Sequence, residues 1–234
     1  MKLRICDYRD ALAIINSTNQ EGALVHPKLY ERYYEFIDAL ESITEEEIIA
    51  QFNYEKSQKA TVSFKSLASP INALIRKHLS IYPEWKAESF LFNEPEYRKA
   101  KQKGDKNHTE WRLDFASEDA LAVEVAFNHG EAIAWNLAKL QISAELNHVQ
   151  KAINTNIGIY VCVTDEMKIA GNFDGAVGSF EKVQRYFTPM RNILTAPIVL
   201  IGLEAPETFQ ISKETREVYD LYNNHNYQSC YQDT

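Results

Sequence analysis

Two apolar runs, Ile157-Gly-Ile-Tyr-Val-Cys-Val163 and Ala196-Pro-Ile-Val-Leu-Ile-Gly-Leu203, restrict the folds open to this chain. Neither alternates polar with apolar residues, so each reads as a strand covered on both faces. Between them, residues 177–194 carry Val177, Phe180, Val183 and Phe187 at helical spacing, ahead of Pro189. Upstream, Ile133, Leu137, Leu140, Ile142, Leu146 and Val149 predict a long helix over about 130–151. Before that, Trp111–Phe115 and Leu121–Phe127, joined by Ala116-Ser-Glu-Asp119, predict a two-stranded hairpin. Strands alternating with helices imply parallel neighbours joined by right-handed crossovers. The expected class is α/β, with an antiparallel hairpin feeding a partly parallel, mixed β-sheet flanked by helices on both faces.

The N-terminal third is read more coarsely. Leu3–Cys6 suggests a short edge strand, and Leu29, Tyr33, Phe36, Ile37 and Leu40 give an amphipathic helix opened by Pro27. Ser69-Pro70 before Ile71, Leu74, Ile75 and Leu79 predicts a second helix, with Ser as cap and Pro in the first turn. No apolar run approaches the ~20 residues of a membrane-spanning helix. The charged start Met1-Lys-Leu-Arg-Ile-Cys-Asp lacks a signal peptide's apolar stretch, so a cytoplasmic protein is expected. Cys6, Cys162 and Cys230 form neither a disulfide framework nor a metal pair, and Cys162 reads as core.

A formal charge of −8 argues against a generic nucleic-acid coat protein. The charge is uneven, however. Residues 1–50 hold 5 Lys/Arg against 10 Asp/Glu, whereas Arg98–Lys106 holds five bases and one acid. That segment is either a solvated loop or a phosphate contact.

The chemistry concentrates in the hairpin. Asp114 ends one predicted strand, and Glu124 lies within Ala122-Val-Glu-Val-Ala-Phe127, where core residues are otherwise expected. Ionised carboxylates are seldom buried without a partner or a metal. Adjacent antiparallel strands would bring Asp114 and Glu124 together as a hard oxygen site suited to Mg²⁺. Alternatively, Glu124 faces solvent on a one-sided sheet, or pairs with Arg112.

An Asp, a short turn and then Glu-x-x in an apolar strand resembles the Asp…Glu-x-Lys core of restriction-type nucleases. Read from Trp85 to Pro206, the succession is Trp85-Lys86, Leu113-Asp-Phe115, Val123-Glu-Val-Ala-Phe-Asn128, a helix and an apolar strand. The loop Gly171-Asn-Phe-Asp-Gly-Ala-Val-Gly178 and the run Ala196–Leu203 complete it. This order and spacing resembles the BglII/BstYI family of type II restriction endonucleases over about half the chain, with Ser66-Leu-Ala-Ser-Pro70 extending it loosely.

The resemblance implies a restriction-endonuclease-like core in a single domain over 1–234. Residues 1–65 would be a helical and edge region, 66–206 the catalytic core with recognition loops, and 207–234 a peripheral tail. It implies Asp114 and Glu124 as catalytic metal ligands, the carbonyl of Val125 as a third ligand, and Glu88 as a further polar catalytic residue. Mg²⁺ is the implied cofactor, with Mn²⁺ a possible substitute, and a homodimer cutting short palindromic double-stranded DNA the implied assembly. Base reading falls to Lys168, Asn172, Asp174 and Ser179, with Arg185 or Arg191 nearby, although such a loop is also ordinary turn chemistry.

One position departs from the pattern. The third motif residue, Gln in close relatives and Lys or Glu in distant ones, is Ala126. Its role has moved, to Glu131 or Lys139 for example, or an inactivating substitution is present, or the chain is a natural degenerate copy. A DNA-binding protein that has lost catalysis therefore stands as the alternative. A hydrolase of small phosphate esters is more remote. His129 reads either as a general base or metal-shell group, or as a helix-start histidine bonded to backbone, and Trp135-Asn136 as packing or a subunit contact.

Overall fold

The computed structural model describes residues 1–58, 65–93, 111–145 and 150–222. The basic segment Arg98–Lys106, His108, His148 and Cys230 lie outside the described residues. Six strands form the main sheet: β1 (Leu3–Tyr8), β2 (Lys86–Phe90), β3 (Arg112–Ala116), β4 (Ala120–Val125), β5 (Thr155–Val163) and β6 (Ile198–Leu203). Their order is β1-β6-β5-β4-β3-β2. The central strands β4, β5 and β6 are parallel, while β1 at one edge and β3 and β2 toward the other pair antiparallel.

Both faces of the sheet are covered, as the unbroken apolar runs require. On one side, Leu121, Val123, Ile157, Ile159, Val161, Val199 and Ile201 pack with helices α1 (Ala11–Ile15), α2 (Pro27–Glu41), α3 (Glu45–Gln58) and α4 (Ala68–Leu79). On the other, Ala122, Tyr160, Cys162, Ile198 and Leu200 pack with α5 (Ile133–Ala144) and α7 (Phe180–Phe187). The short helix α6 (Asp165–Ala170) follows β5. Each large apolar side chain removed from water contributes about 1.5–3 kcal/mol, so a polar residue in the centre of β4 is conspicuous. Two glycines set how closely the second helical layer approaches. A Cβ at Gly158 would lie 2.9 Å from Leu140 Cβ, and one at Gly202 would lie 2.7 Å from the Phe180 ring.

Several boundaries differ from the sequence reading. The long helix is a 3₁₀ turn over Gly130–Ala132 followed by α5, which ends at Ala144 because Glu145 turns extended. The predicted helix over 177–194 contracts to α7, capped by Ser179, whose hydroxyl accepts from Lys182 N–H. Helix α4 begins at Ala68, so Ser69 is not its cap. Helix α3 has no counterpart among the elements expected from periodicity. It starts with a capping box, in which Thr44 Oγ1 accepts from Glu47 N–H and Glu47 returns to Thr44 N–H. The expected peripheral tail includes a small hairpin, β7 (Phe209–Ile211) with β8 (Val218–Asp220), whose Phe209 and Ile211 are buried in the first core cluster.

Candidate active site

The site forms where the antiparallel hairpin joins the parallel strands. Phe115 pairs with Val123 and Ala116 with Ala122. One further step of this register sets Asp114 across from Glu124. There the side chain replaces the ladder, because Asp114 Oδ2 accepts the Val125 N–H at 2.7 Å. Asp114 is half-buried, and Glu124 is only 2% exposed.

Glu124 neither faces solvent nor pairs with Arg112. It shares a sheet face with Ala122 and Ala126, and its Oε2 forms a close ion pair with Lys139 Nζ from α5. The same ammonium donates to Arg112 O at 3.1 Å. The other carboxylate atom, Oε1, is buried without a hydrogen-bond partner among the described residues. Burial pushes the Glu124 carboxyl up to about 8, against the opposing pull of Lys139. Asp114 is also raised, first by burial, with the Val125 N–H and Lys139 acting in the other direction.

Such a pair has the character of a divalent-cation site. Two hard carboxylates lie together, both disfavoured as bare anions, and one of their oxygens is left unmatched in the interior. Glu88 takes a different place. Its backbone is left-handed at φ 51°, and its exposed carboxylate bridges Arg76 at 2.8 Å and Arg112 at 3.8 Å. Among the described residues, no three His, Cys, Asp or Glu side chains converge as a metal cluster. The Glu88 carboxylate is close enough to raise both carboxyls of the pair while it is held by the two arginines.

Two arginines frame this flank. The Arg112 guanidinium lies 4.4 Å from the Phe90 ring centroid, and that of Arg76 lies 5.7 Å from the Phe115 ring centroid. Arg76 went unremarked in the sequence because only the apolar periodicity of α4 was legible. Its position next to Ile75 on a helix packed over the sheet is the one signal available.

The predicted reading loop lies at the same end of the sheet. The backbone of His129, just beyond β4, bridges to Val177, and the Phe127 and Phe173 rings meet edge-on at 5.6 Å. Its polar side chains are largely engaged in holding the loop. Lys168 Nζ donates to Gly175 O and Val177 O, Asn172 Nδ2 to Lys65 O, and Asp174 Oδ1 accepts from Ala176 N–H. Ser179 is 4% exposed and serves as the α7 cap. Arg185 and Arg191 are exposed. His129 precedes the 3₁₀ turn without a side-chain cap bond. Trp135 is partly exposed against Trp111, and Asn136 is buried. Burial pushes the Cys162 thiol up, consistent with a core role.

The arrangement can be set beside known proteins. A sequence profile described as restriction endonuclease BglII/BglIII matches residues 4–203. Among solved structures, restriction endonuclease BglII complexed with a DNA 16-mer aligns with a TM-score of 0.57 and 16% identity, covering 94% of this chain and 88% of that one. Free BglII aligns with a TM-score of 0.50 and 17% identity, covering 90% and 83%. No curated protein sequence matches. At these identities the structural likeness shows a shared fold, whereas the profile spans most of the sequence. On that match, the chain belongs to the BglII/BglIII restriction endonuclease family.

Proposed function

We propose that the protein is a Mg²⁺-dependent type II restriction endonuclease, acting as a cytoplasmic homodimer on a short palindromic site in double-stranded DNA. The observation that carries this reading is the pairing of half-buried Asp114 with buried Glu124 and its unmatched Oε1, in a chain of this family. Asp114, Glu124 and the main-chain carbonyl of Val125 would hold the cation. On an extended strand a residue's N–H and C=O point the same way, so the carbonyl of Val125 is directed toward the strand that bears Asp114. When bound, the ion lowers the pKa of water and offsets charge on the phosphoryl oxygens.

The chain's own residues perform the remaining work. Burial of Glu124 excludes bulk water from one side of the pair, which strengthens every charge interaction there. Arg76 and Arg112 offer two guanidiniums beside it, currently matched by Glu88, where duplex backbone would compete for them. Lys168, Asn172 and Asp174 belong to the proposed recognition segment that follows β5, with Arg185 or Arg191 nearby. Reading bases with the first three would exchange loop-holding bonds for contacts in the major groove.

A second reading, a DNA-binding protein without catalysis, is favoured by one feature, the apolar Ala126 at the third motif position. Incubation with plasmid and Mg²⁺ separates the two. Discrete fragments that disappear with chelator support the nuclease, and shifted but uncut DNA supports the binder. DNA that is neither bound nor cut at low salt contradicts both.

A further inference from the structure

The geometry points to Lys139 as the third catalytic residue of this active site, delivered from helix α5 to the place that the Ala126 side chain leaves without a polar group. The inference rests on the nuclease reading above and adds the group that would touch the scissile phosphodiester. Position 126 lies two residues beyond Glu124 and faces the same layer, where its methyl group is buried in the apolar cluster that also holds Ile133, Leu137 and Leu140. No basic residue lies on β4. Lys139 lies on the helix packed over that face, and its ammonium reaches the Glu124 carboxylate. Glu131, the other nearby candidate, is exposed in the 3₁₀ turn.

Three features distinguish this lysine from a structural ion pair. It is only 7% exposed, at a position where a well-packed hydrophobic residue would be no less stabilising. The pair does not satisfy its own carboxylate, since Glu124 Oε1 remains without a partner. An ammonium has three donors, and the two acceptors found among the described residues are Glu124 Oε2 and Arg112 O, which leaves one N–H for a further oxygen. The close approach of α5 to the sheet is itself built in, because Gly158 admits Leu140, the neighbour of Lys139, to a distance that a Cβ would obstruct.

In the reaction, the oxygen of water forms the new P–O bond. The bond from phosphorus to the 3′ oxygen breaks, and its electron pair stays on that oxygen. One water proton reaches the 3′ oxygen through solvent, and the other remains with the product phosphate until released. Lys139 keeps its proton throughout. It holds an ammonium against the phosphoryl oxygen on which negative charge grows, an electrostatic role of the kind that preorganised donors perform elsewhere.

The test compares wild type, Lys139→Met, and the double variant Lys139→Ala with Ala126→Lys, which returns the amine to the strand. Three quantities are measured: single-turnover cleavage in Mg²⁺, duplex binding in Ca²⁺, and calorimetric titration of Mn²⁺ without DNA. Lys139→Met should cleave at least about 100-fold more slowly. It should bind duplex within about threefold of wild type, and hold Mn²⁺ at least as tightly, because no ammonium competes for Oε2. The double variant should regain at least about tenfold of the lost rate. Cleavage by folded Lys139→Met within about threefold of wild type, or loss of its Mn²⁺ and duplex binding together, would overturn the assignment and leave the nuclease reading standing. A wild-type protein that binds duplex but never cuts it removes the nuclease reading, and this inference with it.

Discussion

The paired strands β3 and β4 and the loop over 171–178 sit at the same end of the sheet, yet they treat polar side chains in opposite ways. In the strands, Glu124 is buried with one oxygen unmatched, and both carboxyls are pushed upward by burial. At the loop, Lys168 from α6 and Asn172 and Asp174 within it are engaged with main-chain partners. The strands are therefore organised at a cost that a bound cation would offset, while the loop is satisfied in the free protein. The difference teaches that polar residues of the same type signal function at one site and turn construction at the other, and that burial decides which.

The largest expected effect lies on the strand side. Asp114→Asn should reduce cleavage by at least about 1,000-fold in a single-turnover assay while duplex binding in Ca²⁺ persists. Full cleavage by this variant would remove the strand site from the chemistry.

Next is the pH response of Glu124, followed as the stability difference between wild type and Glu124→Gln without metal. The folded carboxyl is raised to about 8 by burial, so the folded state retains a proton that the unfolded chain releases near the ordinary carboxylate range. Its contribution is present at low pH and is lost as pH rises toward 8. Relative to the variant, wild type should lose stability between pH 5 and 8, on the order of a few kcal/mol. A constant difference across that range in denaturant titrations would contradict the buried, raised carboxyl.

The loop side should respond through stability. Lys168→Met removes two bonds to loop carbonyls and should cost about 1–3 kcal/mol in chemical unfolding, with weaker specific DNA binding if the loop reads bases. Unchanged stability would show that the loop is not held by Lys168. Ser179→Ala should cost about 1 kcal/mol through loss of the α7 cap and leave DNA affinity unaltered. A selective loss of DNA affinity in Ser179→Ala would return that residue to the interface.

The contrast also explains what was legible from the residues. Unbroken apolar strands and the helical periods of α2, α4 and α5 reveal the two-sided sheet because burial on both faces dictates composition directly. The pairing of Asp114 with Glu124 was accessible because a carboxylate amid Val and Ala is anomalous whatever the fold. Strand β2 was hidden. Its sequence Lys-Ala-Glu-Ser-Phe lies along an edge, where little apolar area is buried, and Glu88 adopts a left-handed backbone that no pattern announces. The contact from Lys139 to Glu124 was likewise beyond periodicity, since it depends on how near α5 comes to the sheet. Lys168, Asn172 and Asp174 were singled out for chemistry suited to DNA, and their main-chain bonds depend on a loop path that composition does not encode.

The central claim is that Asp114 and Glu124 jointly bind a divalent ion, and calorimetric titration of Mn²⁺ into wild type, Asp114→Asn and Glu124→Gln tests it most directly. The account predicts one ion per chain in wild type, with affinity rising as pH is raised because binding requires both carboxyls deprotonated, and loss of that binding in each variant. Equal Mn²⁺ binding by all three proteins would contradict it.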